Sequence, residues 1–294
     1  MKKLFFFAAA MFAAMTINAT ELFDGSHAVT WDTPLNLEAA KFADAQPGQK
    51  IVLTFTDAKE MVEENEELVN KGSVVEFKVL DLWDHLAGSR EALRLFNDGS
   101  VEQFLTEKAV EQLKANGLQI VGKEFTLTHV ELTNGKELKE GITVWTGFFW
   151  ADNWSTLELY KEGYNYVDFS KIDAIRFYSE AANNSYYIKF MKGWDAADKF
   201  AEMGDMTAGE GYVELKLTDG LRTSVSEAGH WLVQFNKESI DPFNVTDIVL
   251  VPIETPTAIE NTNANPNATK RIVNGQVVIT REGKTFNMLG VEVR

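Results

Sequence analysis

The stretch YYIKFMKGWDAADKF (residues 186–200) closes an alternating, strand-like run with a Trp-Asp step, and VEFKVLDLWDHL (residues 75–86) has already done the same. Lys78 and Lys189, Trp83 and Trp194, and Asp84 and Asp195 stand at one constant spacing. A repeat of this kind is read before any single motif, because it means that one structural unit is written twice. Other blocks align in the same order. LFDG (22–25) matches VWTG (144–147), each followed by a tryptophan, Trp31 or Trp154. IVLTFTDA (51–58) matches IRFYSEA (175–181), and VEQFLTE (101–107) matches VELKLTD (213–219). GLQIVGKE (117–124) matches GHWLVQFN (229–236), and FTLTHVEL (125–132) matches FNVTDIVLVP (243–252).

Most of these blocks are short, alternate with period two and are separated by Gly, Asp and Asn turns, which is the pattern of an antiparallel sandwich. The fold class expected is therefore all-β: two tandem antiparallel β-sandwich domains from an internal duplication, residues 20–134 and 141–254. A helix is expected in the first copy only, over EKAVEQLKANG, stopping at Gly117. The acidic run EMVEENEELVNKG (60–72) has no counterpart in the second copy and reads as a solvated loop or short helix.

The ends of the chain read differently. Lys2 and Lys3 precede an apolar run that is shorter than the roughly 20 residues a spanning helix needs, and Ala19 follows at a plausible cleavage point. Residues 1–19 are thus expected to be a signal peptide, the protein exported, and no membrane span to follow. Residues 255–269, rich in Thr, Asn, Ala and Pro, read as a linker. Residues 270–294 return to alternating strands with turns at Asn274-Gly275 and Glu282-Gly283, and form a short β-hairpin-type tail. Such a tail cannot bury a core alone.

Composition excludes several functions. The chain has no cysteine, so disulfides, a lipid-modified cysteine and thiol catalysis are ruled out. Its formal charge of -16 grows by two units when Lys2 and Lys3 leave, which argues against nucleic acid or an anionic membrane as partner. With 44 acidic residues, chance carboxylate pairs abound, and none stands out as a glycosidase pair. His27, His85, His129 and His230 are scattered singly without metal-ligand spacing. An enzyme is not expected; a glycoside hydrolase of an unrecognised class is the low-ranked alternative.

The tail resembles the C-terminal segments of secreted Bacteroidetes proteins on Lys270, Asn274, Gly275, Gln276, Ile279, Gly283, Lys284, Phe286, Asn287, Gly290 and Val293. That resemblance implies a type IX secretion sorting segment, a contact with the secretion machinery, and a final place at the outer-membrane surface or outside the cell. The repeat body resembles jelly-roll, carbohydrate-binding-module-like units of the same bacteria, through LFDG or VWTG with its following tryptophan, IVLTFTDA, and GLQIVGKEFTLTHVEL. Such modules often carry a structural calcium ion. The acidic loops 24–27 and 81–84 offer oxygens but no recognisable ligand spacing, so no metal and no cofactor is expected.

The resemblance implies a polysaccharide or oligosaccharide as partner, and aromatic side chains are the groups that sugar rings stack on. Trp31, Trp83, Trp154 and Trp194 occur in both copies, and shared aromatics are expected to brace the core. Aromatics found in one copy are freer to serve a ligand. The candidate binding residues are Trp150, Trp154, Trp231, Asn153 and Gln234, all in the second copy. The rival reading is a structural or adhesive surface protein that binds protein partners.

Overall fold

The computed structural model describes residues 19–59, 63–64, 67–68, 72–90, 92–95, 97–180, 187–236, 241–253, 268–273, 276–281 and 284–287. The signal-peptide expectation lies outside them apart from Ala19, as do most of the linker and the closing LG-x-x-V of the tail. The chain divides into two units, residues 1–253 and 254–294.

The first half runs β1 (Thr20–Val29), β2 (Leu35–Glu38), β3 (Lys50–Thr56), β4 (Glu63–Glu64), β5 (Glu67–Leu68), β6 (Val74–Val79), β7 (Leu93–Arg94), β8 (Gly99–Phe104), α1 (Glu107–Asn116), β9 (Gly117–Lys123) and β10 (Phe125–Thr133). The second runs β11 (Ile142–Ala151), β12 (Thr156–Tyr160), β13 (Ile172–Ser179), β14 (Ile188–Met191), β15 (Lys199–Glu202), β16 (Thr207–Ala208), β17 (Tyr212–Lys216), α2 (Asp219–Glu227), β18 (His230–Phe235) and β19 (Phe243–Pro252). Among the described residues all strand pairings are antiparallel, and the fold is all-β as the alternation requires.

Strand order is written twice. In the first half the sheet β1-β10-β3-β8 lies over β2-β9-β6-β7; in the second, β11-β19-β13-β17-β16 lies over β12-β18-β14-β15. Each pair of sheets closes on its own core, one built around Leu53, Phe77, Ile120 and Leu127, the other around Phe177, Phe190, Trp231 and Ile248. The backbone irregularities repeat as well. β1 slips against β10 between Glu21 and Phe23 and again between Asp24 and His27, and β11 slips against β19 between Thr143 and Trp145 and between Thr146 and Phe149.

Both halves also carry a helix, which corrects the expectation of one. The Thr106 hydroxyl accepts from Ala109 N at 3.2 Å to cap α1, and the Thr218 hydroxyl accepts from Leu221 N at 3.4 Å to cap α2. α1 ends at Gly117 with φ 95°, where a Cβ would stand 2.3 Å from the Leu37 carbonyl oxygen. In the 60–72 run, where a loop or short helix was expected, β4 pairs antiparallel with β5.

The two sandwiches stand edge to edge. In one layer β8 passes beside β11, with Phe104 set edge-on to Phe148 at 5.6 Å. In the other, the segment after β6 reaches β12 through an isolated bridge from Arg90 to Leu159. Gly88 lies in this junction with φ 75°; a Cβ there would meet Thr106 at 2.8 Å and the Val144 carbonyl oxygen at 3.3 Å. Lys136, between the halves, donates to the carbonyls of Gly147 (2.9 Å) and Thr246 (2.6 Å) and to Asp247 Oδ2 (3.2 Å). Burial lowers the Lys136 ammonium below its ordinary range, and the Asp247 carboxylate pulls the other way.

The second unit contains a three-stranded antiparallel sheet of β20 (Ala268–Val273), β21 (Gln276–Arg281) and β22 (Lys284–Asn287), in the order β20-β21-β22.

Candidate functional site

Alternation decides which side chains leave the core. On β12, Leu157 and Leu159 point inward, which turns Thr156, Glu158 and Tyr160 to the outer face. On β18, Trp231, Val233 and Phe235 point inward and His230, Leu232 and Gln234 outward; on β14, Lys189 points outward. Strand register then sets Thr156 beside Gln234 and Gln234 beside Lys189, a polar row across three strands. The first half has the same kind of row. Asn36 pairs with Gln119 and Gln119 with Lys78, again on the outer face, and Gln119 Nε2 donates to Asn36 Oδ1 at 3.0 Å.

Tryptophans stand at the ends of these faces. Trp154 lies in the turn before β12 and meets Tyr187, just before β14, edge-on at 6.1 Å. Trp194 follows β14, Trp31 precedes β2, and Trp83 follows β6. β2 and β6 both pair antiparallel with β9, so they run in one direction, and Trp31 and Trp83 therefore mark opposite ends of their sheet. The same argument on β12, β18 and β14 puts Trp154 and Trp194 at opposite ends of theirs. All four are exposed, at 41% (Trp31), 51% (Trp83), 45% (Trp154) and 64% (Trp194). The expectation that these shared aromatics brace the core is thus overturned. They sit on turns, Trp83 and Trp154 with φ of 62° and 58°, and a turn carries its side chain to the surface.

The five candidates from the sequence separate. Trp154, its exposed neighbour Asn153 and the half-buried Gln234 gather at one end of the β12-β18-β14 face. Trp150 is exposed but opposite Asn244 on β19, so it belongs to the other layer. Trp231 is corrected outright: it is fully buried, stacked on Tyr164 at 4.0 Å and 14°, with Nε1 donating to the Val225 carbonyl at 3.0 Å. Phe169 and Phe190 close on its edges. An indole whose N–H and both flanks are satisfied inside a core offers no ring to a ligand. Burial also raises the Tyr164 hydroxyl above its ordinary range.

Several charged groups of the two faces are paired. Lys78 Nζ lies 2.9 Å from Glu76 Oε2 and donates to His85 Nε2 at 2.8 Å, and it lies 6.0 Å from the Trp83 ring. His230 Nδ1 lies 3.0 Å from Glu158 Oε1. Asp247, an acid on β19, is engaged by Lys136 and by the Thr146 hydroxyl, which donates at 2.8 Å to Oδ1. It is therefore spoken for structurally and is no free general acid or base.

One cluster escaped the sequence reading. Glu21, Asp24 and His129 bring ligand atoms within 4.8 Å of one another on the outer side of β1 and β10. His129 was expected to stand singly, without metal-ligand spacing. The contact arises across strands, where the slipped register sets Asp24 opposite His129, and no spacing along the chain carries it.

No family model matches the chain, and no curated protein does. Among solved structures it is similar to the SGBP-B protein of the mixed-linkage glucan utilization locus of Bacteroides ovatus, solved in complex with a mixed-linkage heptasaccharide. The similarity has a TM-score of 0.31 at 17% identity, and it covers 39% of this chain and 29% of that one.

Proposed function

We propose that this is an exported, non-catalytic carbohydrate-binding protein that takes a polysaccharide or oligosaccharide on the outer face of β12, β18 and β14. The observation that carries the reading is the pairing of an exposed indole with a polar row: Trp154 beside Tyr187, and Thr156 next to Gln234, on one face. Flat rings take the C–H faces of sugars, and amide and hydroxyl groups take their hydroxyls. The recurrence of end-placed tryptophans and of an Asn36-Gln119 row in the first half supports a face kept for a purpose.

The wider reading accords with this. The eight-strand order common to both halves, with β16 added at one edge of the second, supports a jelly-roll assignment for residues 20–134 and 141–254. Residues 1–19 would direct export, residues 255–269 link, and residues 270–294 would act as a type IX sorting segment that delivers the protein to the outer surface.

Affinity gel electrophoresis of the chain against soluble polysaccharides tests the function. Retardation by one glycan, lost in Trp154→Ala and retained in Trp150→Ala, is the expected result. No retardation by any glycan would overturn it in favour of a protein partner.

A further inference from the structure

The outer faces of β2-β9-β6-β7 and β12-β18-β14-β15 belong to different sandwiches, yet they touch. His85, held by Lys78 on the first face, stacks its ring on Tyr160 of the second, with centroids 3.7 Å apart and planes 20° from parallel. Directly beside this stack the Arg90–Leu159 bridge joins the backbones of the two halves. Arg90 lies 4.7 Å over the Phe149 ring, and Gly88 fills a space too small for a Cβ. The junction is therefore packed, and the two faces are set at a defined place relative to one another.

Resting on the carbohydrate-binding reading, we infer that the two faces form one site, in which a single uncharged, hydroxyl-rich polymer crosses the seam at His85 and Tyr160. Polar groups continue across that line. Asn36, Gln119 and Lys78 lead to His85; Tyr160 continues, through its partner His230, to Glu158, Thr156 and Gln234. Gln119 Oε1 is buried without a hydrogen-bond partner among the described residues, an acceptor left over on the first face. The occupant is uncharged because Lys78 is already paired with Glu76 and the chain carries a net charge of -16. A polyanion would meet repulsion from the whole protein.

A shared site differs from two independent ones in stoichiometry and in length dependence. The full chain is first run against xyloglucan, galactomannan, β-glucan and starch dextrins, with polygalacturonate as the anionic comparison. Size-graded oligosaccharides of the best binder are then titrated by calorimetry. The expected result is one long chain bound per protein, with affinity rising beyond the length that one half accommodates. Tyr160→Ala and His85→Ala should each weaken the longest oligosaccharide by about ten-fold or more and leave the shortest unchanged. Two long chains per protein would overturn the shared site and leave the carbohydrate reading standing. So would unaltered affinity in both folded variants. Preference for polygalacturonate overturns the uncharged polymer, and no binding by any glycan overturns both readings. Stoichiometry is read on the unaltered chain, so a variant that fails to fold does not remove the test.

Discussion

The same bend in the first and second halves holds opposite contents. In both, the opening strand slips twice against the closing strand. In the first half those slips present Glu21 and Asp24 to His129 at the surface. In the second, the matching positions are Thr143, Thr146 and Asp247, all buried, and the Lys136 ammonium fills the space. Backbone geometry has been retained while the side chains moved from an open acidic cluster to a closed ion pair. The comparison teaches that strand order and bulges are set by backbone pairing and turn geometry, whereas what occupies a bulge depends on what else packs there. Lys136 comes from the junction between the halves.

A core indole provides the strongest way to break the comparison. Trp231→Ala should cost the second half about 3–5 kcal/mol, read by urea unfolding, because the ring fills space among Tyr164, Phe169 and Phe190. A cost below about 1 kcal/mol would mean that the indole is not part of that core.

Next in size is the filled bulge. Asp247→Ala leaves the Lys136 ammonium without its carboxylate and should destabilise by about 3 kcal/mol, whereas His129→Ala, at the half-buried counterpart, should cost under about 1 kcal/mol. Equal losses in the two variants would erase the distinction drawn between the halves.

Smaller still are the turn tryptophans. Trp83→Ala and Trp194→Ala should each shift stability by no more than about 0.5 kcal/mol, since both rings are more than half exposed. A loss of several kcal/mol from either would return it to a structural role.

The smallest effect concerns one exposed acid. Asp168 Oδ1 accepts from the Ser170 amide ahead of β13, and the Lys171 ammonium with the Ser170 hydroxyl holds its carboxyl down to about 2. A lowered carboxyl pKa contributes stability above the unfolded-state value and loses it as pH falls through the folded one. An NMR titration should therefore find Asp168 ionised at pH 3, and Lys171→Ala should raise its midpoint.

Much of the architecture was legible because β structure writes itself at period two and because the chain states the pattern twice. β3 and β13, β8 and β17, and β10 and β19 all fall on blocks that align by eye. α1 announces itself through helix-forming residues and a terminal glycine. α2 does not, because DGLRTSVSE is poor in helix formers; it forms because Thr218 caps it and Val225 is anchored in the core.

The candidate site was legible only in part. Trp154, Asn153 and Gln234 share one end of a face, but Trp150 and Trp231 do not join them. Repetition marks a position as retained without saying which way its side chain points. Trp231 follows His230 on β18, and its inward direction is set by the register that pairs Leu159 with it. That register is decided by burial of the whole sheet face, since a slip of one residue would turn every side chain over.

From residues alone come the duplication, the all-β class, the absence of cysteine chemistry and the acidic charge, because these depend on composition, period and order. Tertiary structure alone decided which tryptophans face solvent, that His129 meets Asp24, that Lys136 closes the second bulge, and that the faces of the two halves meet at His85 and Tyr160. These are contacts between residues far apart along the chain. They follow from the packing of two sheets and two sandwiches, which no local spacing encodes.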